Sequence, residues 1–131
     1  MIVTFFDRED DTNHLNGTIV HDNSQLFKIL DSLRDREPFF CELVGDNGYC
    51  LLVGVGPNGC AEYSRCDGEP PYLGAVASNR KRERGYIEFL TGGTPTPIAK
   101  RSCFPFDTVR EIAGYFRETG GMFPGVAWEE A

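Results

Sequence analysis

The sequence predicts an α+β domain: two helices and a largely antiparallel sheet of about six or seven strands. Three observations carry this. Apolar residues recur at helical spacing in only two segments. Short β-branched and aromatic runs fill most of the rest. Between them lie Asn47-Gly48, Pro57-Asn58-Gly59 and Gly92-Gly93. Tight turns of that kind join antiparallel neighbours, whereas parallel neighbours need a long crossover.

The N-terminus, Met1 to Phe6, reads as a strand, and Gly17 to His21 as a second that pairs with it. Asp7 to Asn16 is a polar connection. Asp22 is the expected N-cap of the first helix, with Gln25 placed as in a capping box. Leu26, Ile29, Leu30 and Leu33 then form one apolar face, and Glu37-Pro38 ends the segment. Phe39–Val44, Tyr49–Val55 and Cys60–Ser64 make an antiparallel meander. Asp67 to Pro71 is a loop, Tyr72 to Ala77 a further strand, and Asn79 to Arg84 a charged turn. Gly85 to Leu90 is a strand ending at Gly92-Gly93. Thr94 to Lys100 is expected at an edge, because Pro95 and Pro97 cannot donate to a ladder. The second helix begins at Asp107 as N-cap, buries Val109, Ile112, Ala113 and Phe116, and stops at Gly120-Gly121. Pro124 to Trp128 runs extended, with Trp128 as a core anchor or, alternatively, a binding hot spot.

The 131 residues fit one domain, 1–131, with 40% hydrophobic residues and ten Phe to fill a core. The net charge of −7 argues against nucleic acid as a direct partner and permits a basic protein. The five cysteines include no C-x-x-C; Cys41, Cys50 and Cys60 lie in apolar runs, so reduced structural thiols are expected. The first six residues carry no basic leader, and no apolar run is long enough to span a bilayer. A cytoplasmic protein is therefore expected, with no membrane contact.

Catalytic and metal chemistry finds little support. His14 and His21 are the only histidines and lie in one N-terminal stretch, far in sequence from Cys66 and Cys103, so no nucleophile–base motif stands out. Asp7, Glu9, Asp10 and Asp11 lack the glycine and terminal glutamate of a calcium loop. Gly54-x-Gly56-x-x-Gly59 matches a dinucleotide fingerprint in letters, but it lies between strands and contains Pro57, so a hairpin turn is expected. Gly92-Gly93-Thr94-Pro95-Thr96 lacks the Lys-Ser/Thr of a phosphate loop and reads as a strand end. Arg80-Lys81-Arg82-Glu83-Arg84 reads as a solvated turn, with phosphate contact as the alternative. No enzyme, cofactor or metal is expected.

The C-terminal third carries a resemblance. Tyr86-Ile87-Glu88-Phe89-Leu90-x-Gly92-Gly93 leads through a proline-containing segment to Phe104-Pro105-Phe106-Asp107. A helix ending Tyr115-Phe116-Arg117-Glu118-Thr119-Gly120 follows, then Pro124 and Val126-Ala127-Trp128-Glu129. In order and spacing this resembles the first numbered immunity-protein family of bacterial polymorphic toxin systems, often paired with deaminase-fold toxins. Gly121-Met122-Phe123 departs from the family pattern. The resemblance implies an immunity protein that binds and neutralises a cognate, nucleic-acid-targeting toxin, itself a monomer or weak homodimer. It implies no catalytic residues. Charge and expected exposure nominate Asp7, Glu9, Asp10, Asp11, Asp46, Asp67 and Glu69 as toxin contacts. The competing reading is a small-molecule-binding or regulatory module without catalysis.

Overall fold

The computed structural model describes residues 1–77 and 83–130. Along the chain lie β1 (Val3–Asp7), β2 (Thr18–Val20), α1 (Asn23–Leu33), β3 (Phe39–Gly45), β4 (Tyr49–Val55), β5 (Asn58–Arg65) and β6 (Leu73–Val76). Then come β7 (Tyr86–Thr91), β8 (Thr94–Ala99), β9 (Phe104–Pro105), α2 (Phe106–Thr119) and β10 (Ala127–Glu130). The α+β class holds, but the ten strands among the described residues exceed the six or seven expected. Part of the excess is β9, a two-residue piece too short to show any period, which exists because Phe104 and Pro105 pair with Gly59 and Asn58.

The sheet runs β10-β6-β5-β4-β3-β1-β2, and every neighbour on that path is antiparallel. The β7–β8 hairpin joins it through a single parallel pair, Phe39 with Leu90. The Asn47-Gly48 turn between β3 and β4 needs a left-handed residue, and Gly48 supplies it at φ 85°. β8 pairs only with β7, so the missing N–H groups of Pro95 and Pro97 face no second partner. The Gly54-x-Gly56-x-x-Gly59 run forms the β4–β5 hairpin.

Strand alternation sends Val3, Phe5, Cys41, Leu43, Leu51, Val53 and Ala61 to the face covered by the helices. Helix α1 covers it with Leu26, Ile29, Leu30 and Leu33. Helix α2 adds Phe106, Val109, Ile112, Ala113 and Phe116. Each of these Leu, Ile, Val and Phe side chains contributes about 1.5–3 kcal/mol on burial. Asp22 caps α1, accepting the Gln25 N–H at 2.8 Å. Gln25 returns not to Asp22 but to the His21 N–H at 3.0 Å, one residue away from a capping box. Helix α1 ends at Leu33, before Glu37-Pro38. Pro105 rather than Asp107 takes the N-cap position of α2, and Asp107 lies in the first turn, where its charge suits the helix dipole. Gly120, at φ 73°, stops α2 and donates to the Phe116 carbonyl at 2.7 Å.

A second cluster fills the other sheet face, where Phe89 of β7 packs on Phe40, Cys60 and Cys103. Trp128 is half-buried against the main core, and its Nε1–H donates to the Phe123 carbonyl at 2.9 Å. The expectation of five reduced thiols is corrected. Cys50 and Cys66 are disulfide-bonded, with Cα atoms 5.4 Å apart, while Cys41, Cys60 and Cys103 are buried outside that bond. Register explains the pair: Cys50 lies opposite Ser64, which brings Cys66, just beyond the end of β5, within reach.

Candidate functional site

The seven acidic candidates separate into two groups at opposite ends of the sheet. Asp7 to Asp11 follow the C-terminal end of β1, where Asp7 pairs with Cys41. Asp46 sits at the other end, beside Ile2, whose N–H reaches its carboxylate at 3.4 Å. Ile2 and Asp7 are five residues apart on an extended chain, so roughly 17 Å separates the groups.

At the first end the carboxylates hold the fold. Asp7 is only 4% exposed, so the exposure expected of it does not occur. It accepts the N–H groups of Glu9 and Asp10 at 2.9 Å each, the Asn13 side chain at 3.0 Å and the Arg36 guanidinium at 2.7 Å. Burial pulls its pKa up, but these hydrogen bonds from Asn13, Arg36, Asp10 and Glu9 together pull harder and leave the carboxyl below its ordinary value. Glu9 reaches across to the β7–β8 turn and accepts the Gly93 N–H at 2.9 Å. Asp10 accepts the Thr12 hydroxyl at 2.6 Å and the Thr12 N–H at 3.0 Å, which lower its pKa. Asp11 is exposed.

At the second end, acidic groups rim exposed aromatic surface. Asp46, Asp67 and Glu69 are all exposed, on the β3–β4 turn and the β5–β6 loop. Asp67 accepts the Glu69 N–H at 3.0 Å and pairs with Arg65, and both interactions lower its pKa. Tyr49 stacks on Tyr63 with ring centroids 5.0 Å apart. Tyr63 is fixed from below: its hydroxyl donates to the Gly120 carbonyl at 3.0 Å, and its ring meets Phe116 and Trp128 edge-on. Burial, and Tyr49 beside it, raise the Tyr63 pKa, so the phenol stays neutral. Tyr49, Tyr63, Arg65, Pro71, Leu73 and Met122 line a cavity of about 280 Å³. Tyr49, Tyr72 and Met122 are 37%, 38% and 37% exposed.

Several contacts hold this end in shape. The Cys50–Cys66 bond ties β4 to the start of the β5–β6 loop. The Asn47 side chain donates to the Gly120 carbonyl at 3.1 Å and ties the β3–β4 turn to the end of α2. The result is a rigid base bearing large amphipathic rings beside negative charge. Such a surface suits protein recognition, because buried aromatic anchors supply affinity and charge sets approach and register.

Sequence reasoning found the charges here and missed the rings. Tyr49 and Tyr72 stand beside turn residues, but their exposure depends on packing. Met122 belongs to the tripeptide that departs from the family pattern, and it is exposed at this cavity.

The described residues contain no group of three His, Cys, Asp or Glu side chains able to hold a metal ion. Burial pushes the Cys41 and Cys60 thiols well up, which keeps them protonated and poor nucleophiles. No helix among the described residues is long and apolar enough to cross a membrane. Of the basic run, Arg80, Lys81 and Arg82 lie outside the described residues.

Residues 14–130 match the family model described as immunity protein Imm1. No curated protein and no solved structure matches the chain. The match takes in nearly the whole sequence, well beyond the C-terminal third that carries the resemblance, and the chain belongs to the Imm1 immunity-protein family.

Proposed function

We propose that this Imm1 protein neutralises a cognate toxin by binding it, without turnover, and that the contact surface is the acidic–aromatic end of the sheet. One observation carries the choice of surface: Tyr49, Tyr72 and Met122 are left exposed on a rigid base beside Asp46, Asp67 and Glu69. Interfaces draw their affinity from such aromatic anchors, and rim charge contributes mainly to association rate.

The proposed partner is a nucleic-acid-targeting toxin, a deaminase for example. An enzyme of that kind needs positive surface for its substrate, and a protein of net charge −7 complements it. The proposed setting is the cytoplasm of the producing cell, with the immunity protein acting as a monomer or weak homodimer. Disulfides are rare in reducing cytosol, and with the Cys50–Cys66 bond open there, the Asn47 and Tyr63 contacts to the Gly120 carbonyl still hold this end in shape. The expected contacts at the other end reduce to Asp11 and part of Asp10, since Asp7 and Glu9 are engaged within the fold.

The test is co-expression with candidate toxin domains encoded near this gene. A one-to-one complex and restored growth are expected. A toxin that stays lethal, with no complex on co-purification, would sink the reading and favour a ligand-binding module.

A further inference from the structure

Away from the tyrosine end, on the sheet face turned from the helices, lies a row of directly opposed residues. Phe6 faces Glu42, Glu42 faces Leu52, Leu52 faces Glu62, Glu62 faces Gly74 and Gly74 faces Glu129. Directly opposed residues share a face, so three carboxylates stand in one line at two-strand intervals, roughly 10 Å apart. The outer two each hold an arginine. Glu42 pairs with Arg8, and Glu129 pairs with Arg101 at 3.1 Å.

Glu62, between them, has no ion pair or hydrogen bond to its carboxylate among the described residues, and desolvation alone accounts for its raised pKa. It is half-buried in a pocket of about 190 Å³ whose walls include Phe40, Leu52, Pro97 and Ile98, where the β7–β8 hairpin lies over the sheet. That volume falls below the roughly 300–1,000 Å³ of small-molecule sites and suits one long side chain.

We propose that this pocket is a socket for an arginine side chain of the protein partner, with Glu62 receiving the guanidinium. Arginine fits better than lysine on two counts. Its plane can lie against Phe40 and Leu52 while its forked N–H groups meet the carboxylate two at a time. It is also more weakly hydrated than an ammonium, so entering a partly apolar pocket costs less. A half-buried carboxylate without a partner is unfavourable, and pairing with a cation offsets part of that cost. The socket rests on the reading that the partner is a basic protein and adds a second contact to it, on a face distinct from the tyrosine end.

The direct test uses N-acetyl-arginine amide as the probe and the matching citrulline compound as its uncharged control. The full-length protein carries carbon-13 glutamate, and the Glu62 side-chain carboxyl resonance, assigned by its loss in Glu62→Gln, is followed. A saturable shift is expected with the arginine probe, with half-saturation at or below about 100 mM, and none with citrulline. A Glu62 resonance that ignores the arginine probe, or responds equally to citrulline, overturns the socket. In the toxin complex, Glu62→Gln is expected to weaken binding about tenfold with an unchanged melting temperature. A wild-type protein that binds no toxin would end the immunity reading, and the probe titration would still decide the socket.

Discussion

The two acidic ends of the sheet have similar composition and different uses. At the β1 end, Asp7 is buried under Arg36, Asn13 and two backbone N–H groups, and Glu9 holds the Gly93 N–H of the β7–β8 turn. These charges organise a loop that has almost no apolar residues of its own. At the other end a disulfide holds the β5–β6 loop and Asn47 the β3–β4 turn, and Asp46, Asp67 and Glu69 stay exposed beside tyrosines even though Asp67 also pairs with Arg65 and accepts the Glu69 N–H. An acidic run in a sequence therefore leaves charge free at the surface mainly where other groups also hold the backbone. Where carboxylates do that work themselves, little charge is left to present.

The largest expected effect tests the structural end. Asp7→Ala leaves Arg36 and two backbone N–H groups without their acceptor and should cost about 3 kcal/mol in urea unfolding. The loss should depend on pH in a defined direction. The folded-state pKa of Asp7 is depressed, so its contribution is complete above the unfolded value of about 3.9 and disappears as pH falls through the lower folded value. Wild type and Asp7→Ala should therefore converge in acid. A gap that persists undiminished there would mean that packing, not ionisation, is what Asp7 provides.

Of similar size is the effect of the cross-link at the other end. In protein purified under oxidising conditions, Cys66→Ser should lower stability by about 3 kcal/mol, the loop-entropy value for a separation of 16 residues. Peptide mapping after alkylation without reductant checks the premise: Cys50 and Cys66 should stay unmodified and travel as one linked fragment.

Charge reversal sharpens the contrast further. Asp67→Lys with Glu69→Lys should slow toxin association about tenfold at low salt and much less at high salt, while stability moves by under about 0.5 kcal/mol. Asp11→Lys, at the far end, should change association less. An equal effect from both would mean that long-range charge alone governs approach.

The smallest effect concerns Glu62. Its folded-state pKa is raised, so the protonated form is favoured by folding, and this stabilising contribution is lost as pH rises through the folded value. At neutral pH the ionised group is mildly unfavourable, and Glu62→Gln should leave the melting temperature unchanged or slightly higher. A clear drop in a thermal melt would assign Glu62 a structural partner instead.

Much of the frame was legible in the sequence because it is local. Leu26, Ile29, Leu30 and Leu33 announce one helix face, and Asn47-Gly48 announces the β3–β4 hairpin. The family resemblance read from Gly85 onward agreed with the match over residues 14–130. What escaped depends on contacts distant in sequence. Asp7 is buried because Arg36 arrives 29 residues later, and Glu9 is occupied because Gly93 lies 84 residues on. Cys50 finds Cys66 through the register of β4 on β5, which cysteine spacing alone does not reveal. The stack of Tyr49 on Tyr63 needs the same register and the end of α2, where Gly120 receives the Tyr63 hydroxyl.

The most direct measurement is calorimetry of the cognate toxin domain against wild type and against Tyr49→Ala combined with Tyr72→Ala. If the tyrosine end is the contact surface, the double variant should keep its fold by circular dichroism and bind at least thirtyfold more weakly, a loss of about 2 kcal/mol or more. Unchanged affinity in a folded double variant would contradict the assignment and move the interface elsewhere on the molecule.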